Sequence, residues 1–152
     1  MLANVGKVPV TPHLDTGVAT SGLTSLFAKR HPQLIAGWAC ALEKIMGIGG
    51  NTIVPQTAIW RDVGIAVGTA STSLPQITIA LDPPAGRKEK RLGTIGQDII
   101  GAFASYTLDF DTMGFELGKP TGYVSKISAF RSRHRTPIAD LRASGCWRYR
   151  QW

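Results

Sequence analysis

Cysteine is scarce in this chain, with only Cys40 and Cys146 among 152 residues. Two cysteines can form at most one bridge, which excludes the class of small domains held together by several disulfides. The histidines and cysteines also lack the spacing of a zinc site. A single bridge between the two cysteines stays open, but no metal or cofactor is expected.

Long apolar runs are also missing. No stretch reaches the roughly 18 residues that a membrane-spanning helix needs, so no membrane span is predicted. The first ten residues (MLANVGKVPV) do not show a charged start followed by an apolar stretch, so no signal peptide is expected. If this N-terminus is the native one, the protein is expected in the cytoplasm.

Acidic residues are nearly absent from the last part of the chain. Residues 1–118 carry nine Lys/Arg and nine Asp/Glu, whereas residues 119–152 carry eight Lys/Arg against Asp140 alone. The net charge of +7 therefore belongs to the tail, and the body is not expected to bind nucleic acid. We predict a folded domain over residues 1–118 and a basic, poorly ordered tail over residues 119–152.

Glycine and proline are plentiful, at 17 and 9 residues, which favours short strands and turns over a helical bundle. Helices are predicted only at residues 26–30, capped by Thr24 or Ser25, and at residues 97–106. Residues 87–91 (RKEKR) are interpreted as a solvated loop. Strands are predicted at residues 7–14, 19–23, 52–54, 57–60, 64–67 and 76–81, with a terminal hairpin over 107–110 and 114–117.

The stretch Leu14-Asp15-Thr16-Gly17 contains the candidate catalytic group. An aspartate at the end of an apolar strand is positioned by backbone, and the glycine lets main-chain N–H groups approach the carboxylate. The threonine hydroxyl can bond across to a neighbouring chain. Taken alone, Asp-Thr-Gly is also a common turn sequence, so this pattern leaves an ordinary turn open.

The wider loop around Asp15 and three further segments strengthen the catalytic interpretation. Residues 14–24 (LDTGVATSGLT) resemble the active-site loop of the retropepsin-like aspartic proteases. Residues 92–100 (LGTIGQDII) resemble the family's apolar-apolar-Gly element with its following helix, and residues 46–51 (MGIGGN) resemble its flap. Residues 106–117 resemble its closing strands. The resemblance covers about residues 6–118, with the segments in the family's order.

This resemblance implies a mainly β, acid-protease-like single lobe, an open or closed barrel with one or two short helices. It implies peptide-bond hydrolysis with Asp15, Thr16 and Gly17 in the catalytic loop, and a polypeptide substrate under a flap formed by Gly47, Ile48, Gly49 and Gly50. Such hydrolysis uses two carboxyl groups around one water, and this chain has a single loop of this kind. The second carboxyl is therefore expected from another chain, either a second copy of Asp15 in a homodimer or a related lobe.

The chain departs from the family pattern in three places, one of which is Thr94, a less apolar residue than usual in the apolar-apolar-Gly element. Val18 stands where the family usually has Ala or Ser. Only six residues precede the strand that enters the Asp15 loop, where the family has a further strand and hairpin. We therefore expect that the hairpin is missing, and that either the chain is a truncated product or the subunits pair through other strands.

Two other functions remain open. A protease-like fold can serve as an inactive binding or assembly module. Alternatively, the tail could contact nucleic acid through its arginines and aromatic residues. The residues concerned are Arg131, Arg133, Arg135, Arg148 and Arg150, with Trp147, Tyr149 and Trp152.

Overall fold

The computed structural model describes residues 1–36, 40–47, 50–83 and 88–121, with only the backbone described over residues 40–47 and 50–55. The chain is mostly strand, with three short helices among the described residues. The helices are α1 (Ser25–Arg30), α2 (Pro32–Ile35) and α3 (Gln97–Ile100). The strands are β1 (Ala3–Val5), β2 (Val8–Val10), β3 (Pro12–Leu14), β4 (Gly22–Leu23), β5 (Cys40–Gly47), β6 (Gly50–Val67), β7 (Ala70–Ala80), β8 (Gly93–Ile95), β9 (Tyr106–Asp109) and β10 (Gly114–Leu117).

An N-terminal hairpin precedes the Asp15 loop. Strands β1 and β2 pair antiparallel around Gly6, whose φ of 62° favours glycine. The Trp60 ring closes over this turn, and a Cβ on Gly6 would lie 2.8 Å from it. The expectation that this hairpin is missing was therefore wrong. The single strand predicted over residues 7–14 is instead divided into β2 and β3.

The longest strand among the described residues, β6, pairs with three others, β1, β5 and β7. It pairs antiparallel with β5 over its first part and with β7 along residues 57–67. The three strands predicted over residues 52–67 are thus one strand. Its one irregularity along β7 lies at Asp62, which has a φ of 52° and faces Pro75 between two regular pairs. Proline has no N–H to donate, so the ladder is interrupted there without ending.

The main sheet wraps almost into a barrel. The strand order is β2-β1-β6-β7-β4-β8-β3, with β5 paired to β6. Since β2 and β3 are separated along the chain only by Thr11, the two ends of the sheet lie close together. The predicted mainly β lobe with few short helices is confirmed. Its core is apolar and is built from Val10, Phe27, Ala58, Val63, Ile65, Ile77, Ile79, Ile95 and Ile99 among others.

The start of helix α1 depends on a distant residue. Neither predicted cap, Thr24 or Ser25, closes the helix with a side-chain bond. The Glu89 carboxylate accepts hydrogen bonds from the Leu26 N–H at 3.0 Å and from the Ser25 hydroxyl at 2.6 Å. An anionic group at a helix N-terminus satisfies free N–H groups and complements the helix dipole. The segment interpreted as a solvated loop thus includes a capping residue.

Helix α3 is shorter than the predicted helix over residues 97–106. It ends at Ile100, and the following residues bond to a later part of the chain. The Ala104 N–H donates to the Lys119 carbonyl at 2.9 Å, and the Thr121 N–H donates to the Ala102 carbonyl at 2.9 Å. The hydrogen bonds of the lobe therefore extend to Thr121, three residues past the boundary expected at residue 118.

The terminal strands β9 and β10 form the predicted hairpin, starting one residue earlier than expected. They make a separate two-stranded sheet. No helix in the described part of the chain is both long enough and apolar enough to cross a membrane.

Candidate active site

Asp15 lies directly after β3, where that strand runs beside β8. The two strands pair in parallel, with Leu14 opposite Ile95, and the Asp15 N–H donates to the Ile95 carbonyl at 3.0 Å. The ladder thus continues one residue into the loop. As a result, the position of the Asp15 backbone is set by the sheet and does not depend on the loop alone.

Asp15 is a half-buried residue, and the turn that follows folds back onto its carboxylate. The Gly17 N–H donates to Asp15 Oδ1 at 2.9 Å, and the Val18 N–H donates to the Asp15 carbonyl at 3.3 Å. Gly17 has no side chain, and a Cβ there would lie 3.3 Å from Asp15 Oδ1. The loop therefore orients one carboxylate oxygen with backbone while the group remains accessible.

The segment from β8 into α3 bonds to the Asp15 loop along its length. The Gln97 side-chain amide donates to the Thr16 carbonyl at 2.6 Å, and the Gln97 N–H donates to the Val18 carbonyl at 2.8 Å. The Asp98 N–H donates to the Ala19 carbonyl at 3.2 Å. This is the segment whose sequence resembles the apolar-apolar-Gly element, and the structure places it beside the loop as expected.

Gly96 allows this close approach. A Cβ on Gly96 would lie 2.7 Å from the Val18 carbonyl oxygen and 3.3 Å from the Ser21 nitrogen. Both neighbours are backbone atoms, which cannot rotate away as a flexible side chain could. A glycine is therefore needed at this point for β8 and α3 to hold the loop.

A buried carboxylate completes the contact between the two segments. Asp98 is only 7% exposed, and it accepts hydrogen bonds from the Ser21 N–H at 2.9 Å and the Ser21 hydroxyl at 2.5 Å. It also accepts one from the Ile99 N–H at 2.9 Å. The Ser21 oxygen in turn accepts from the Gly96 N–H at 2.9 Å. These bonds join Ser21 of the Asp15 loop to Gly96, Asp98 and Ile99 in one buried network.

The Asp98 carboxylate lies in the segment that resembles the apolar-apolar-Gly element and its helix. Its structural role was missed, because Ser21 and Asp98 are 77 positions apart. The available signal was an acidic residue inside the apolar segment GQDII, since a carboxylate among core residues needs partners. The sequence could indicate such a need but not which residue meets it.

The residues proposed for the flap are only partly described. Strands β5 and β6 form a hairpin in which Gly47 pairs with Gly50, as the sequence predicted for its tip. Ile48 and Gly49 lie outside the described residues. Thr16, the third member of the predicted catalytic loop, is exposed next to Asp15.

The chain contains a single Asp-Thr-Gly loop, and the other described aspartates lie in different settings. Asp98 is committed to the buried network, and the remaining described aspartates are exposed at Asp62, Asp82, Asp109 and Asp111. Within the same residues, no group of three or more His, Cys, Asp or Glu side chains could hold a metal ion.

Comparison with known proteins gives similarity at the level of structure. No family profile and no curated protein matches the chain. A retropepsin-like aspartic protease from Rickettsia conorii superposes with a TM-score of 0.50 and 15% identity, over 73% of this chain and 76% of that one. The chain has the retropepsin-like fold. The EIAV protease in complex with the inhibitor HBY-793 also matches, with a TM-score of 0.44 and 22% identity over 66% and 83% of the two chains.

The fold brings together the two segments that the sequence analysis compared with the family's active-site loop and its apolar-apolar-Gly element. Residues 14–24 and 92–100 are far apart along the chain, yet they form one bonded unit around Asp15. At these identities the likeness establishes the fold, and the chemistry has to be argued from the loop itself.

Proposed function

We propose that the chain is an aspartic endopeptidase whose active site forms when the Asp15 residues of two copies meet. The observation that carries this proposal is the environment of Asp15. Its carboxylate is accessible, one oxygen is oriented by the Gly17 N–H, and its backbone is tied into the sheet through Ile95. Such preorganisation suits a group that must bind and activate a water molecule.

In the proposed reaction, the two Asp15 carboxyl groups share one proton and hold a water between them. Close carboxyls do not ionise together easily, so one is ionised while the other keeps its proton. The ionised group takes a proton from the water as the water oxygen attacks the scissile carbonyl carbon. The protonated group donates to the carbonyl oxygen, giving a tetrahedral diol. Proton transfer to the amide nitrogen then releases the amine, and the diol collapses to a carboxylic acid.

The hairpin of β5 and β6 is proposed to cover the substrate. Gly47, Ile48, Gly49 and Gly50 would form its tip, where several glycines allow the backbone to change conformation as a peptide enters and leaves. The closed hairpin would exclude bulk water from the two carboxyls. The substrate is thus an extended polypeptide segment held between the hairpins and the paired loops.

The test compares Asp15→Asn with Asp62→Asn. Asparagine keeps the shape of the Asp15 side chain but cannot serve as the ionised base, so cleavage should fall by about a thousandfold or more. Asp62 is exposed and has a φ of 52°, a conformation that asparagine also adopts readily, so its variant should retain cleavage. Cleavage of a mixed fluorogenic peptide library at acidic pH measures both, and urea unfolding checks that both variants fold.

Retained cleavage in Asp15→Asn would rule out the catalytic assignment. Specific activity should also fall more steeply than linearly on dilution, because a single copy has half of the site. A stable dimer of the unmutated chain that cleaves no library peptide would favour an inactive binding module. A salt-sensitive nucleic-acid complex that is lost on removing residues 122–152 would favour a function of the tail.

A further inference from the structure

The peptide group between Thr16 and Gly17 is hydrogen-bonded on both sides. Its N–H, from Gly17, donates to Asp15 Oδ1 at 2.9 Å, and its carbonyl, from Thr16, accepts from the Gln97 side-chain amide at 2.6 Å. A peptide group is planar and rotates as one rigid unit. A contact that fixes its carbonyl therefore also fixes the direction in which its N–H points at the Asp15 carboxylate.

The Gln97 side chain reaches a part of the loop that the other contacts of α3 do not. The remaining hydrogen bonds between α3 and the loop, from backbone and from the buried carboxylate, involve residues 18–21. Among the described residues, Gln97 is the one residue from outside the loop whose side chain donates to residues 15–17. Its amide therefore acts on the segment that carries the candidate catalytic carboxylate.

The side-chain bond of Gln97 is separable from the bonds that hold α3 against the loop. Gln97 is the first residue of α3 and is exposed, and its own N–H bonds to the Val18 carbonyl at 2.8 Å. A change of the side chain leaves this backbone bond in place, together with the buried network of Asp98. The effect of the amide can therefore be tested without dismantling the contact between the two segments.

The bond from Gln97 also polarises the peptide group that it holds. A carbonyl that accepts a hydrogen bond makes the N–H on the other side of its peptide group a stronger donor, by about 10–30% per bond. Here that N–H donates to a carboxylate, and hydrogen bonds to an ionised acceptor are stronger than those between neutral groups. The bond from Gln97 to Thr16 thus strengthens the bond from Gly17 to Asp15.

We infer that Gln97 is a positioning residue, which fixes the orientation of the Asp15 carboxylate by holding the peptide group between Thr16 and Gly17. This inference rests on the proposed function, in which Asp15 takes a proton from a water molecule. Such a transfer requires accurate placement of the accepting oxygen, and small errors in placement slow a reaction strongly. In this role Gln97 takes no part in the proton transfer itself and acts only through Asp15.

The experiment compares three variants of the full chain with the unmutated protein. Gln97→Met keeps the length of the side chain and removes its N–H donors, whereas Gln97→Arg keeps N–H donors on a longer side chain. Gln33→Met is the matched control, because Gln33 is an exposed glutamine on α2. Urea unfolding and sedimentation equilibrium should give the same stability and the same association state for all four proteins, since only exposed side chains change.

Steady-state cleavage of one peptide substrate at a fixed acidic pH separates kcat from KM. We expect Gln97→Met to lower kcat about tenfold and to change KM by about twofold or less, because the bond acts on the catalytic step and not on substrate binding. Gln97→Arg should keep kcat within about threefold of the unmutated value, since it can still donate to the Thr16 carbonyl. Gln33→Met should leave both constants unchanged.

The amide proton of Gly17 reports the same arrangement without any cleavage. Weakening its hydrogen bond to Asp15 moves its NMR resonance upfield, because the proton is then less deshielded by the carboxylate oxygen. At neutral pH, the Gly17 signal should move upfield in Gln97→Met and should stay near its original position in Gln97→Arg and Gln33→Met. Signals of residues far from the loop should stay in place in every variant, which verifies that the change is local.

Three results would overturn the inference. The first is a Gly17 signal that does not move in Gln97→Met. The second is a raised KM with an unchanged kcat in Gln97→Met, because Gln97 would then bind the substrate. The third is an equal loss of kcat in Gln97→Met and Gln97→Arg, because the loss of the N–H donor would then not be its cause.

The outcomes also distinguish this inference from the proposed function. If the unmutated chain cleaves no peptide, the peptidase proposal fails and the Gly17 signal alone decides the inference. An upfield move in Gln97→Met then supports the positioning of Asp15 by Gln97, and a fixed signal rejects it. If the unmutated chain cleaves peptides and Gln97→Met cleaves them with the same kcat, the peptidase proposal is supported and the positioning role is rejected.

Discussion

The Asp15 loop and the terminal hairpin differ in how much of their bonding one chain completes. The loop is held by β8 and α3 through backbone bonds, by the Gln97 amide and by the buried Asp98 carboxylate. The hairpin has an apolar face that the chain covers only in part and, within the described residues, two open edges. The two regions are neighbours, since α3 belongs to the first and leads into the second.

This difference concerns how firmly a single chain positions each of the two regions. A group that is to activate water needs an accurate position before any partner arrives, and buried hydrogen bonds within one chain supply that position. The terminal hairpin, by contrast, is held by the pairing of β9 with β10 and by the turn around Asp109. The two regions therefore differ in how many buried hydrogen bonds hold them, and the following predictions test that difference.

The largest effect on stability is expected from Asp98→Ala, which would remove the buried hydrogen bonds between the Asp15 loop and α3. The variant leaves the Ser21 N–H, the Ser21 hydroxyl and the Ile99 N–H without their buried acceptor. We expect the free energy of unfolding to fall by about 3 kcal/mol or more, because unsatisfied buried donors are costly. Urea unfolding at neutral pH measures this.

The matched control for Asp98→Ala is Asp82→Ala, which removes an exposed carboxylate. It should change stability by about 0.5 kcal/mol or less. Similar losses in the two variants would show that the buried network does not hold the loop, and the contrast between loop and hairpin would lose its energetic basis.

A smaller loss of stability is expected from Gly96→Ala, which would force the segment of β8 and α3 away from the Asp15 loop. The new Cβ would meet the Val18 carbonyl oxygen at 2.7 Å, so β8 and the Asp15 loop would have to move apart. Such overpacking costs about 1–3 kcal/mol. Peptide cleavage should fall as well, because the same displacement reaches the loop that carries Asp15.

Gly64→Ala is the control for Gly96→Ala, because a Cβ on Gly64 would meet nothing within 4 Å. Thermal unfolding of the two variants gives the comparison. A Gly96→Ala protein as stable and active as Gly64→Ala would mean that the close approach at Gly96 is not required.

The smallest effect concerns the turn of the hairpin and appears in a titration. The Thr112 hydroxyl donates to Asp109 Oδ2 at 2.6 Å, and the N–H groups of Thr112 and Asp111 donate to Oδ1 at 3.1 and 2.9 Å. These bonds, led by the Thr112 hydroxyl, lower the pKa of Asp109 below its ordinary value of 3.8. The ionised carboxylate therefore stabilises the turn above about pH 4, and this contribution is lost as the pH falls through the lowered pKa.

Thr112→Val removes the largest cause, so the pKa of Asp109 should rise toward its ordinary value. Carboxyl NMR titration measures the shift, with Thr107→Val on the same hairpin as the control. The free energy of unfolding at neutral pH should change little, because Asp109 is exposed. An unchanged Asp109 titration would show that the Thr112 hydroxyl does not hold the turn.

The elements that were predicted well are those whose pattern is local. The second half of strand β7 shows the apolar alternation predicted over residues 76–81, and Ile77 and Ile79 are indeed buried, whereas the first half, residues 70–75, was not predicted. The hairpins at Gly47 to Gly50 and at β9–β10 were predicted from turn residues between strands. In each case the responsible interactions involve residues only a few positions apart, so the sequence pattern reports them directly.

The errors occurred where a local pattern had a non-local cause. Ile99, Ile100 and Phe103 are all buried, and their spacing predicted a helix through residue 106. The helix ends at Ile100, and Phe103 instead bridges to Pro120. Ile99 and Ile100 are buried as part of helix α3, whereas Phe103 lies beyond the end of that helix. One helical period therefore does not describe all three residues. Likewise, no local signal indicates that Glu89 caps α1.

By itself, the sequence determined the Asp-Thr-Gly turn after an apolar strand, the glycines that let backbone approach, and the concentration of positive charge after residue 118. Only the tertiary structure decided that β8 runs beside β3, that Asp98 binds Ser21, and that Tyr106 and Leu108 of the terminal hairpin stay exposed. The physical reason is the range of the interactions. Turn and strand preferences act between neighbours in the chain, whereas parallel pairing and buried hydrogen bonds join residues brought together only when the core forms.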